Sequence, residues 1–195
     1  MTVSLRERRR QQTARDIQLA TLELAVEQGL ENVTTEEIAA AAGISTRTFF
    51  NYYVNKESAA IGAPPAFGEA DKTALREGRG ALRDDLKRFL DKHIKILADD
   101  DNIVRMVGTV LRSNEKARGI LDGFLMMERE TLTECLAGRV ADVQTAAALA
   151  SMCTDSIGRA IFLWETGDAA TLSAALDIVW AGTLHAAGLM VVPSD

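Results

Sequence analysis

Thr46, Arg47 and Thr48 stand together directly after Ser45, between Gly43 and Asn51. An arginine can bond a guanine bidentately, and a threonine offers its hydroxyl to a base or its methyl to thymine. Thr35 is placed for the first turn of a helix, where backbone N–H groups favour a phosphate. Tyr52, Tyr53 and Lys56 also suit phosphate contact, which positions a protein on a duplex without reading its sequence. Ser45 and Asn51 bracket the trio and complete the candidate DNA-contacting set.

Such side chains need a short, firmly started helix to present them, and the flanking residues supply two. Thr34 and Glu37 have the spacing of a capping box, with Val33 and Ile38 placed as its hydrophobic staple. A helix is predicted from Thr35 to about Ala42, closed by Gly43 in the left-handed conformation. Ser45 caps a following helix that reaches about Tyr53, and Ile44 with Phe49 repeats the staple spacing. Asn55 caps a fourth helix from Lys56, while a first helix runs from Thr13 to a stop at Gly29. Ala39-x-x-x-Gly43-Ile44 between two capped helices is a helix-turn-helix signature, whose second helix enters the major groove.

The stretch from Thr34 through Ile38, Ala39, Gly43, Ile44, Thr46, Phe49, Tyr52 and Tyr53 to Glu57 resembles the helix-turn-helix of the TetR family of bacterial regulators. The resemblance covers about residues 13–62 and is architectural beyond them. It implies an all-helical homodimer that usually represses transcription and is released from a palindromic operator by a small ligand in its C-terminal domain. The sequence departs from the family pattern in three places. The family's usual Tyr falls at Phe50, which has no hydroxyl; its His-Phe pair falls at Tyr52-Tyr53; and Pro64-Pro65 cuts the fourth helix short.

Composition agrees with an all-α chain. Among 195 residues there are 30 Ala and 21 Leu but three Pro, with 47% hydrophobic and 26% charged residues. Ala and Leu lose little on entering a helix, and proline would interrupt one. A net charge of -6 argues against a protein coated in basic charge for indiscriminate nucleic-acid binding. The first 15 residues, with Arg6, Arg8, Arg9, Arg10 and Arg15 against Glu7, nevertheless balance at +4 and place an anionic partner near the N-terminus. Cys135 and Cys153 fit reduced thiols rather than a disulfide framework. No signal peptide is read, and the near-apolar run from Ile178 to Val192 is too short to span a bilayer. The expectation is a cytoplasmic protein with no membrane partner.

Four regions are expected: a flexible basic arm over 1–12, the helix-turn-helix domain over 13–62, a linker or weak helix over 63–80, and a helical ligand-binding and dimerisation domain over 81–195. The last region should hold helices near 81–98, 102–112, 115–138, 143–166 and 169–191. Its final helix is apolar nearly all round and must be covered on every face. A two-fold four-helix interface would do so, with Ile157, Ile161, Leu176, Val179, Trp180, Thr183 and Ala187 as candidates. A lining for a small, largely apolar effector is sought among Phe89, His93, Met106 and Val110, together with Phe124, Met127, Phe162 and Trp164. Asp99-Asp100-Asp101 lacks the pattern of a calcium loop, and a zinc site of the usual kind is not expected. No catalytic motif, metal site or cofactor fingerprint is found. The competing reading is a helical small-molecule-binding protein or enzyme whose N-terminal unit no longer reads DNA.

Overall fold

A computed structural model describes residues 4–190. Ten α-helices and one short 3-10 turn account for its regular structure, with no strand among the described residues. They divide into two units, Met1–Pro64 with Asp101–Phe124, and Pro65–Asp100 with Leu125–Asp195.

The first unit contains α1 (Leu5–Gln28), α2 (Thr35–Ala41), α3 (Thr46–Phe50), α4 (Lys56–Ile61) and α7 (Asp101–Ser113), and α8 (Glu115–Ala137) begins in it. α1 starts at Ser4, whose hydroxyl accepts from the Glu7 amide, and stops at Gly29, where φ is 83°. Residues 5–12 therefore continue the first helix rather than forming a flexible arm, because a Ser cap and a run of Arg and Gln sustain helix without burial.

The α1 face carrying Ile17 packs with Val33, Ile38, Ala39, Phe49 and Ala59. A second cluster joins Leu22, Ala25 and Leu30 to Ala60, Ile61, Val110 and Ala117. Each large side chain buried in this way contributes about 1.5–3 kcal/mol. α4 ends at Gly62, with φ of 66°, before Pro64-Pro65, so the early break expected from the sequence is present.

The second unit contains α5 (Glu69–Glu77), α6 (Leu82–Ala98), the rest of α8, α9 (Val143–Glu165) and α10 (Leu172–Met190). The stretch over 63–80 thus carries a true helix, α5. The C-terminal region is also not continuous from 81 onward, since residues 101–124 fold with the first unit. α10 packs on α9 and α6 through Leu172, Ala175, Leu176 and Trp180. Asp177 of α10 pairs with Lys87 of α6 at 2.8 Å. Arg139 meets Asp85 at 2.5 Å with both side chains buried, and also donates to the carbonyls of Leu75 and Gly80. A buried ion pair that is hydrogen-bonded in this way ties the segment after α8 to α5, to α6 and to the loop between them.

Cys135 and Cys153 are both free and buried, and burial pushes the Cys153 thiol up to about 12. On length and composition alone, α9 and α10 could each cross a membrane, with mean hydropathy of 1.2 and 1.3. The run read as too short to span a bilayer thus lies largely within a 19-residue helix that is long enough by itself, Leu172–Met190. Here both helices pack within the second unit, and Val191 and Val192 of that run lie outside the described residues.

Candidate nucleic-acid interface

Reciprocal caps fix the start of α2. The Thr34 hydroxyl accepts from the Glu37 amide at 3.2 Å, and the Glu37 carboxylate accepts from the Thr34 amide at 2.8 Å. These bonds to Thr34 hold the Glu37 carboxyl below its usual range. After α2 the chain turns at Gly43, whose φ is 67°, and the Ile44 amide returns to the Ala39 carbonyl at 2.9 Å. A side chain at Gly43 would be strained by that φ. The buried Ile38, Ala39 and Phe49 then lock α2 against α3.

Of the side chains proposed to touch DNA, Arg47 is exposed, while Thr46 and Thr48 are half-buried. Ser45 serves as the cap: its hydroxyl accepts from the Thr48 amide at 3.1 Å and lies 2.8 Å from the Thr48 hydroxyl. Asn51 is exposed and follows the last residue of α3. Thr35 opens α2, and its hydroxyl donates to the Glu36 carboxylate at 3.1 Å. Tyr52 is half-buried, with the Arg10 guanidinium 5.8 Å from its ring centre.

Two residues have roles the sequence did not show. Lys56 donates to the carbonyls of Glu31 at 2.9 Å and Val33 at 2.8 Å, so two of its three N–H donors close the turn before α2. Tyr53 donates to the Ala14 carbonyl at 3.1 Å, and burial raises its phenol above the ordinary range. It joins α3 to α1.

The sequence marks Phe50 only for its missing hydroxyl and does not mark Val54, yet they are 54% and 80% exposed beside α3. Phe50 sits edge-on to Phe49 with ring centres 5.3 Å apart. Sequence alone treats an aromatic run as core; the roughly 100° step between Phe49 and Phe50 along the helix turns one ring inward and the other outward.

The residues sought as an effector lining are divided between the two units: Met106, Val110 and Phe124 belong to the first, and Phe89, His93, Met127, Phe162 and Trp164 to the second. Phe89 and His93 flank Phe67, at 4.7 and 4.6 Å between ring centres. Met106 and Val110 instead pack in the first unit's cluster around Leu22, because α7 lies against α1. Phe124 is half-buried on α8 and Trp164 is buried on α9. Met127 and Phe162 are 64% and 52% exposed, and Phe162 has the Arg159 guanidinium 5.6 Å from its ring centre.

His93 is 9% exposed and its Nδ1 has no hydrogen-bond partner; burial pushes it down to about 4, leaving a neutral imidazole. An open groove of about 440 Å3 between α8 and α9 is lined by other residues, among them Met126, Thr133, Ala147 and Ser151.

The proposed interface set is divided too. Ile157, Leu176 and Trp180 are buried within the protomer itself, since α10 turns that face onto α9 and α6. Ile161, Val179 and Thr183 are half-buried and Ala187 is exposed. The exposed large apolar side chains of α10 are Ile178, Leu184, Leu189 and Met190. Among the described residues, no group of three or more His, Cys, Asp or Glu side chains is placed to hold a metal ion.

Residues 17–58 match the family described as bacterial regulatory proteins, tetR family. The HTH-type transcriptional regulator TcmR of Streptomyces glaucescens is 30% identical over 136 residues, or 65% of this chain. That match spans 58% of the length of TcmR. A Syntrophomonas wolfei protein assigned to the TetR-family transcriptional regulators shares the fold with a TM-score of 0.67 at 18% identity, covering 94% of this chain and 98% of that one. FadR of Thermus thermophilus, a TetR-family transcriptional repressor solved in complex with lauroyl-CoA, gives a TM-score of 0.51 at 19% identity, covering 93% and 97%.

Proposed function

We propose that the chain is a member of the TetR family of bacterial regulatory proteins and a homodimeric, sequence-specific repressor whose operator is palindromic. One observation carries this reading: a capped α2, a glycine turn and a capped α3 that leave Arg47 exposed at the start of α3. A helix-turn-helix docks the first residues of its second helix over base edges in the major groove. Arg47, Thr46 and Thr48 are the proposed readers of sequence. Thr35, Asn51, Tyr52 and Lys56 are the proposed backbone contacts.

Two-fold pairing would place two such helices in successive major grooves, about one helical turn apart. The exposed apolar residues of α10, Ile178 and Leu184 among them, favour a covered surface and so support a dimer. We place the protein in the cytoplasm, where its DNA would be. The proposed effector is small and largely apolar; the Thermus thermophilus repressor is solved with lauroyl-CoA, which shares an apolar acyl chain with that class but adds a large anionic CoA group. An effector releases DNA only to the extent that it binds the non-binding state more tightly.

The test is fluorescence anisotropy with the full chain and a labelled fragment from upstream of its own gene, against a scrambled fragment, at 50 and 150 mM salt. A preference for the native fragment that survives the higher salt is the expected result. Equal binding to native and scrambled DNA, for this fragment and for fragments recovered by selection from a random library, would overturn the reading.

A further inference from the structure

Between Ile61 and Lys72 a single side chain is buried, that of Phe67. Its segment, residues 62–68, has no regular secondary structure. The Phe67 ring lies across Phe89 and His93, which are one turn apart on α6, with ring centres 4.7 and 4.6 Å away. The Phe67 amide donates to the Glu128 carboxylate of α8 at 2.8 Å. All four residues belong to the second unit. A phenylalanine against Phe89 is ordinary packing, but His93 is not an ordinary neighbour. It is 9% exposed, and its Nδ1 has no hydrogen-bond partner. A buried polar atom left unpaired costs stability that an apolar side chain of the same shape would not. The fold therefore keeps a polar ring where a phenylalanine would pack without that cost.

We infer that Phe67 is an internal plug seated on a ligand subsite, and that an uncharged aromatic compound carrying a hydroxyl group displaces it and bonds to His93 Nδ1. The inference rests on the effector reading above and adds to that effector one required polar group. The plug is the template for the ligand, since a ring already fills the space against Phe89 and His93. Nδ1 is an N–H donor in one neutral tautomer and an acceptor in the other, and a hydroxyl satisfies either. Burial holds the imidazole neutral, so it offers no charge to an anionic group. Release of the plug unwinds no helix, because residues 62–68 are irregular. Glu128 is half-buried, so its carboxylate regains water when its bond to the Phe67 amide opens.

The test uses para-cresol and toluene, which differ by one hydroxyl; toluene has the shape of the phenylalanine side chain. Binding to the full chain is measured by equilibrium dialysis, and the His93 ring nitrogens and the Phe67 amide are followed by NMR. In Phe67→Ala, para-cresol should saturate one site per chain about tenfold more tightly than toluene, the discrimination that one buried hydrogen bond can give. The double variant Phe67→Ala with His93→Phe should bind the two probes alike. The wild-type chain should bind para-cresol at the same site but more weakly, with shifts at His93 Nδ1 and at the Phe67 amide. Equal affinity for the two probes in Phe67→Ala would make the vacated space a plain core cavity and overturn the inference. Para-cresol that shifts neither His93 nor Phe67 in the wild-type chain, up to its solubility limit, would overturn it as well. A loaded site with no change in affinity for the upstream DNA fragment would leave this subsite standing and overturn the effector reading instead.

Discussion

The two units of this chain follow different rules. In the first, short-range chemistry determines where each element starts and stops: Ser4, Thr34, Ser45 and Asn55 cap four helices, and Gly29, Gly43 and Gly62 take the positive φ that ends or turns them. In the second, long helices with diffuse apolar surfaces meet one another, and the role of a side chain depends on which neighbour its helix lies against. Local signals therefore define the proposed nucleic-acid surface almost residue by residue, whereas non-local packing decides what is core, pocket or interface. Substitutions that separate local from non-local roles can break or sharpen this contrast.

The largest effect is expected at Leu176, which is fully buried in the second unit. Leu176→Ala should cost about 2–5 kcal/mol of folding stability, the usual range for a buried leucine. Denaturant unfolding at several protein concentrations checks it. A stable variant that merely dissociates more readily would restore Leu176 to the interface suggested by sequence.

His93 gives the next effect, through pH. Its folded value of about 4 lies below the ordinary 6.5, so the unfolded chain binds the proton more readily. Its contribution to stability is full above about pH 6.5 and is lost progressively as pH falls toward 4, amounting to roughly 3 kcal/mol at the low end. Unfolding midpoints across that window should fall for the native chain and flatten for His93→Phe. An unchanged pH profile in His93→Phe would show that other groups carry the dependence.

A smaller loss tests the local rule in the first unit. Thr34→Ala removes one half of the capping box and should cost about 1 kcal/mol, seen as a modest drop in thermal midpoint. No drop at all would mean that tertiary packing, not capping, holds α2.

These contrasts explain what could be read from the chain in advance. The helix-turn-helix was legible because Thr34, Glu37, Gly43 and Ser45 act within a few residues of themselves. Lys56 and Tyr53 were not, since their carbonyl partners lie 23 to 25 and 39 residues away. The apolar surround of α10 hid which side of it meets α9, so Leu176 and Ile178 looked alike in sequence although one is buried and the other exposed. The packing of Met106 and Val110 was hidden for a related reason: periodicity shows that α7 has an apolar face, but not that α1 receives it. The arginines before Thr13 lay in plain view, and their three- and four-residue spacing was already a helical pattern.

Binding of the Arg47→Ala chain to the upstream fragment and to its scrambled counterpart tests most directly whether α3 reads DNA. The account predicts a loss of roughly 1–3 kcal/mol on the native fragment with relaxed choice between the two, because a base contact is removed while the phosphate contacts remain. Unchanged affinity and unchanged preference would contradict it and would place the reading of sequence somewhere other than α3.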